Sequence, residues 1–115
     1  MNALSRAPGD RACRYALGAE TVLRVFATSA GSDWAWGLHQ FVEDASAVVV
    51  SAIQSGAVDS IEAASLRYAK TNALFSQIAH ESDEEMLLSA ESLLEMTKDM
   101  LDAEACRLML EEVQA

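Results

Sequence analysis

The sequence contains little proline, cysteine or aromatic residue, and each shortage excludes a class of protein. Pro8 is the only proline, so no imino acid interrupts a helix after that position. Cys13 and Cys106 lack the paired spacing of a zinc site and are too few for a disulfide-rich secreted domain. We interpret them as buried thiols, with a disulfide as the alternative. Two Trp, two Tyr and three Phe make a thin core for 115 residues, and thin cores often gain stability by oligomerising.

Long apolar runs are also missing. The longest, residues 45–53, is interrupted by Ser46 and Ser51 and falls short of the ~20 residues that a membrane span requires. Arg6 and Pro8 stand where the apolar stretch of a secretory signal would have to begin. We therefore expect a cytoplasmic protein that does not contact membranes.

Groups that carry catalysis are scarce. His39 and His80 are the only histidines, and no nucleophile elbow or glycine-rich phosphate loop is present. His39 and Glu43 have the i, i+4 spacing of a metal pair, but two ligands do not make a site and no Glu-x-x-His motif completes a di-iron bundle. The sequence predicts no enzymatic activity, no cofactor and no metal, and a surface hydrogen bond between His39 and Glu43.

Positive charge is scarce and unevenly distributed. The net charge is −10, and residues 81–115 carry eleven acidic side chains against two basic ones, whereas residues 1–31 carry four basic against two acidic. An acidic surface repels phosphate backbones, so we expect no direct binding to nucleic acid. Such a surface instead favours a protein partner.

Helical periodicity dominates what remains, and it predicts an all-α protein. A single four-helix domain is expected over residues 10–115, after a flexible tail over residues 1–9. Asp59–Glu62 and Ser82–Glu85 resemble capping boxes at the starts of the last two helices. The predicted helices cover residues 10–29, 33–55, 60–80 and 83–113.

Apolar stripes predict which faces of these helices are buried. On the second helix the stripe alternates steps of four and three, a heptad seam suited to antiparallel bundle packing. Its members are Trp34, Leu38, Phe41, Ala45, Val48 and Ala52. The predicted buried face of the third helix comprises Ile61, Ala64, Tyr68, Phe75 and Ile78.

The fourth helix is the longest and is apolar on more than one side near its end. Leucines recur every seven residues, at Leu87, Leu94, Leu101 and Leu108. About thirty residues at ~1.5 Å rise give a rod of roughly 45 Å, against about 30 Å for the second and third helices. Surplus apolar surface at the end of a helix requires a cover, so we predict a homodimer joined partly through this segment, with capture of a partner as the alternative.

Trp36 is the other predicted contact residue. It lies two positions after Trp34, nearly on the opposite side of the same helix, and an outward tryptophan often anchors a protein interface. Burial of Trp36 under the first helix is the alternative. The predicted partner or dimer interface comprises Trp36, His39, Leu101, Cys106, Leu108, Met109, Leu110 and Val113.

In size, acidity, helical content and the tract WAWGLHQFVED from Trp34 to Asp44, the chain resembles the QslA-type quorum-sensing antiactivators. These small helical proteins bind a LuxR-type receptor and disrupt its dimer. The resemblance implies a negative regulator that covers the dimerisation surface of a transcription factor and so prevents DNA binding. Two alternatives stay open: an antitoxin, immunity protein or secretion chaperone, and a nucleic-acid mimic with substitute phosphates at Glu84, Glu91, Glu95 and Asp102.

Overall fold

The computed structural model describes residues 8–114 and confirms the all-α prediction. Within that range the chain forms four helices joined by short turns. The helices run alternately up and down, so α1 packs against α2 and α4, and α3 packs against α2 and α4. The result is a bundle of 51 × 28 × 20 Å. The helices are α1 (Pro8–Ala30), α2 (Asp33–Ser55), α3 (Val58–Ser82) and α4 (Glu85–Gln114).

The start of α1 differs from the prediction. Pro8 and Gly9, expected in the tail, belong to the helix, because a proline at the first helical position loses no hydrogen bond and its fixed φ suits the helix. Gly9 is also buried against Ile53 and Glu104, where a Cβ atom would approach both side chains closely. Residues 1–7, the rest of the predicted tail, lie outside the described residues.

The two predicted capping boxes are not formed. Helix α3 begins at Val58, and Ala57 provides no side-chain cap. At the other end α3 continues to Ser82, and Asp83 adopts a left-handed conformation (φ 56°) in which its N–H donates to the Ala79 carbonyl. Ser82 Oγ donates to the same carbonyl, 3.0 Å away. Ser82 therefore completes α3, and Glu85 becomes the first residue of α4.

Small side chains allow α1 and α4 to pack closely. The buried face of α1 is mostly alanine, and Gly18 lies beside the side chain of Leu93 of α4. Larger side chains fill the rest of the core: Leu23 and Phe26 of α1 are buried, and Tyr68 and Phe75 of α3 are fully enclosed. Tyr68 shares a buried hydrogen bond of 3.1 Å with Ser46, which satisfies both hydroxyls. This core fixes the positions of the four helices and so of their exposed faces.

Helix α2 is rotated relative to the prediction. The stripe that faces the core comprises Ala35, Leu38, Val42, Ala45, Val49 and Ala52. Trp34 and Phe41 are exposed and Val48 is half-buried, so only the other half of the predicted seam is correct. Similarly, Ile78 of α3 is exposed, whereas the rest of its predicted face is buried.

Helix α4 is the longest, with 30 residues against 23 to 25 in the others. Leu87, Leu94 and Leu101 are fully buried, and Leu108 packs against the edge of the core. The last residues of α4 extend past Gly9 at the start of α1. There Met109 and Glu112 lie beside the short connection between α2 and α3. In the described range, none of the helices combines the length and apolar character that crossing a bilayer requires.

Candidate protein-binding surfaces

The predicted interface residues do not form one surface. Trp36 is exposed near the start of α2, whereas Cys106, Met109, Leu110 and Val113 are exposed near the end of α4. Because α2 starts and α4 finishes at opposite ends of the antiparallel bundle, these two groups are separated by much of its 51 Å length. One binding partner of ordinary size therefore does not contact both groups through a single small surface.

Two members of the predicted interface are not at the surface. Leu101 is fully buried in the core, because the heptad of leucines on α4 faces α1 and α3. His39 is 7 % exposed and faces α1, since its position is adjacent to the core stripe of α2. Neither side chain is available to a partner of the folded chain, which corrects the prediction for both. In place of the surface hydrogen bond expected between His39 and Glu43, the buried His39 lies beside the half-buried Glu43 and Glu20 of α1.

One apolar exposed surface is a groove between α2 and α3, which we call the α2–α3 groove. Its lining consists of Trp34, Gly37, Leu38, Phe41, Leu74 and Ile78. Trp34 is 53 % exposed and Leu74 is 56 % exposed, although both are large and apolar. Trp34 rests edge-on against Phe26, with ring centroids 5.6 Å apart, which holds the indole in place.

Helical periodicity explains why these side chains share one face. On α2 the spacing from Trp34 to Phe41 is seven residues, and on α3 the spacing from Leu74 to Ile78 is four, so each pair lies on one side of its helix. Helix α2 carries two adjacent apolar stripes but needs only one to cover the core. The second stripe was the signal in the sequence for this groove, and the prediction assigned it to the core.

The groove is acidic at one end. Asp33 precedes Trp34, and Glu81 continues the stripe of Leu74 and Ile78 by three further residues; both acids are exposed. Between Trp34 and Phe41, along the α2 side of the groove, the sequence contains no acidic residue. The groove is therefore apolar along its length and negatively charged beside Trp34.

The end of α4 forms a second apolar surface. Leu110 is 61 % exposed and Val113 is 83 % exposed, with Met109 and Cys106 exposed beside them. The acidic residues Glu111 and Glu112 lie among them, so the surface is apolar but not uniform. No described residue covers Leu110 and Val113, which agrees with the surplus apolar surface expected from the sequence.

The four acids proposed as substitute phosphates do not form an open acidic row. Glu91 accepts from His80 Nε2 at 3.1 Å, and Asp102 accepts from Lys98 Nζ at 2.8 Å and from Ser65. Burial raises the pKa of Asp102, but the hydrogen bonds from Lys98 and Ser65 outweigh it and lower the pKa below its usual value. Two of the four carboxylates are thus paired with neighbouring side chains, which makes this face a poorer imitation of a phosphate backbone.

Comparison of the chain with family models, curated proteins and solved structures gave no match. The site is therefore defined by its own geometry. Of the two apolar surfaces, the α2–α3 groove is the concave one, with the aromatic rings of Trp34 and Phe41 on its α2 side and the aliphatic Leu74 and Ile78 on its α3 side.

Proposed function

We propose that this protein is a negative regulator that binds a helix of a transcription factor in the α2–α3 groove and blocks the dimerisation of that factor. The observation that supports this proposal is a row of exposed apolar side chains, which includes Trp34 and Leu74, on a helical domain with a net negative charge. Exposed aromatic residues in a concave apolar site are the commonest energetic anchors of protein interfaces.

An amphipathic helix is the partner chemistry that this groove favours. Helices bind apolar grooves through side chains at i, i+3 or i+4, and i+7, which match the seven-residue spacing of Trp34 and Phe41. A basic residue at the end of that helix would meet Asp33 and Glu81. Dimerisation helices of transcription factors have this combination of one apolar face and flanking charge.

The resemblance to the quorum-sensing antiactivators narrows the partner to a LuxR-type receptor. Occlusion of a receptor's dimerisation helix prevents DNA binding without contact between the regulator and DNA. That mode of action agrees with a net charge of −10, which opposes direct competition for a phosphate backbone.

A gel-shift assay tests the proposal. Mixing the protein with a purified LuxR-type receptor and its promoter DNA is expected to release the DNA in a dose-dependent manner, with a receptor–regulator complex on a sizing column. An undisturbed receptor–DNA band at roughly tenfold excess, together with no complex, would contradict the proposal and favour the antitoxin, immunity or chaperone alternatives.

The salt dependence of binding separates occlusion from nucleic-acid mimicry. Binding through an apolar surface depends weakly on salt, whereas binding by a nucleic-acid mimic weakens steeply as ionic strength rises.

We further propose that the exposed end of α4 joins two copies of the chain. Sedimentation at micromolar concentration is expected to show a dimer, and Leu110→Glu is expected to convert it to a monomer by placing a charge in an apolar contact. Leu17→Glu is the matched control, because Leu17 is 52 % exposed on α1 and lies outside this surface. A wild-type monomer with unchanged helical content would refute the dimer.

A further inference from the structure

Three potential metal ligands from two helices meet at one point of the bundle. Glu20 of α1 approaches His39 and Glu43 of α2, and one ligand atom from each lies within 4.8 Å of the other two. His39 and Glu43 face α1 together because they are four residues apart on a helix. The antiparallel pairing of α1 and α2 supplies the third ligand, which the sequence pattern does not contain.

The burial of His39 is a separate indication that a metal ion binds here. Its side chain is 7 % exposed, and its Nε2 atom is buried without a hydrogen-bond partner in the described part of the chain. A buried polar atom that lacks a partner has lost its hydrogen bonds to water without replacement, so folded proteins rarely retain one without a use. An imidazole nitrogen beside two carboxylates is a ready metal ligand.

We propose that Glu20, His39 and Glu43 bind a divalent first-row transition metal ion, for which zinc is the probe. Three protein ligands with one imidazole and two carboxylates leave a fourth position for water. Ligand atoms around tetrahedral zinc lie about 3.3 Å apart, since each bond is about 2.0–2.1 Å long. Binding of the metal would therefore require the glutamate side chains to rotate until the present spacing, which lies within 4.8 Å, shortens to that value.

The surrounding charges are consistent with a bound cation. Burial raises the pKa of Glu20, and the adjacent Glu43 raises it further through a hydrogen bond and repulsion, whereas His39 and Arg24 lower it. Arg24 Nη2 is 3.6 Å from Glu20 and is the one basic side chain paired with this cluster in the described chain. A dication would neutralise both carboxylates at once. Gln40, which donates to Glu43 at 3.2 Å, is placed to orient that ligand.

Zinc titration calorimetry tests the site in the Cys13→Ser/Cys106→Ser protein, from which any affinity tag has been removed, so that thiols and tags do not bind the metal. We expect one zinc per chain and a higher melting temperature with zinc. Glu43→Gln, which keeps the size of a half-buried side chain, is expected to lower the affinity by roughly a hundredfold or more. His39→Gln is expected to do the same, with circular dichroism as the check on folding.

The exposed pair His80 and Glu91 provides the matched control. Its ring nitrogen and carboxylate are 3.1 Å apart on α3 and α4, so His80→Gln removes a similar pair and is expected to leave zinc binding unchanged. Trp36 supplies an independent readout, because its ring centroid is 5.8 Å from that of His39. In Trp34→Phe protein, Co²⁺ is expected to quench the remaining tryptophan fluorescence, and Glu43→Gln is expected to abolish the quenching. Zinc binding that survives Glu43→Gln, or its absence in the parent protein, would overturn the proposal.

Discussion

Replacement of Phe75 by alanine is expected to destabilise the bundle by about 3–5 kcal/mol. Phe75 of α3 is fully buried, and its removal leaves a cavity that the surrounding helices fill only in part. Domains of this size are stabilised by about 5–15 kcal/mol, so this single change removes a large share of the total. Thermal denaturation followed by circular dichroism is expected to show a melting temperature lower by about 15 °C.

The adjacent residue provides the control for that measurement. Leu74 is 56 % exposed, so Leu74→Ala is expected to change the free energy of unfolding by no more than about 0.5 kcal/mol. A comparable loss in both variants would show that the α2–α3 groove is closed in solution. An unchanged melting temperature for Phe75→Ala would contradict the assignment of that ring to the core.

The second large effect concerns partner binding. Trp34→Ala is expected to weaken the complex with the transcription factor by about 2 kcal/mol, or roughly thirtyfold, because an interface tryptophan carries a disproportionate share of binding energy. Adding Leu74→Ala removes the facing wall of the groove and is expected to abolish the release of promoter DNA at protein concentrations that suffice for the parent. The gel-shift titration measures both effects.

Two variants show whether this loss is specific to the groove. Leu17→Ala shortens a side chain of similar exposure on α1 and is expected to leave the titration unchanged. Trp36→Ala compares the two tryptophans directly, since Trp36 is exposed outside the groove and contacts His39. A larger loss for Trp36→Ala than for Trp34→Ala would place the binding surface on the side of α2 that carries Trp36, outside the groove. The anchoring role of Trp36 stays a prediction until that comparison is made.

The groove was hidden in the sequence by an ambiguity of helical periodicity. Helix α2 has two candidate stripes that differ by one residue: one contains Trp34 and Phe41, the other Ala35 and Val42. Both stripes include Leu38, and in both the residues are three or four positions apart, as on one side of a helix. Periodicity locates an apolar face to within about one residue, or roughly 100° around the helix. The predicted stripe is the outer one, which has the larger side chains, whereas close packing places the smaller side chains of the other stripe inward.

The number of helices, their approximate ends and the length of α4 were determined by the sequence alone. These features depend on local properties: no proline follows Pro8, Gly31 and Gly56 adopt left-handed conformations at the first two turns, and apolar residues recur at helical spacing. The tertiary structure alone decided which stripe of α2 faces inward and brought Glu20 to His39 and Glu43. Those features depend on how each helix is rotated and aligned against its neighbours, and the packing of whole helices sets that rotation, which no local pattern records.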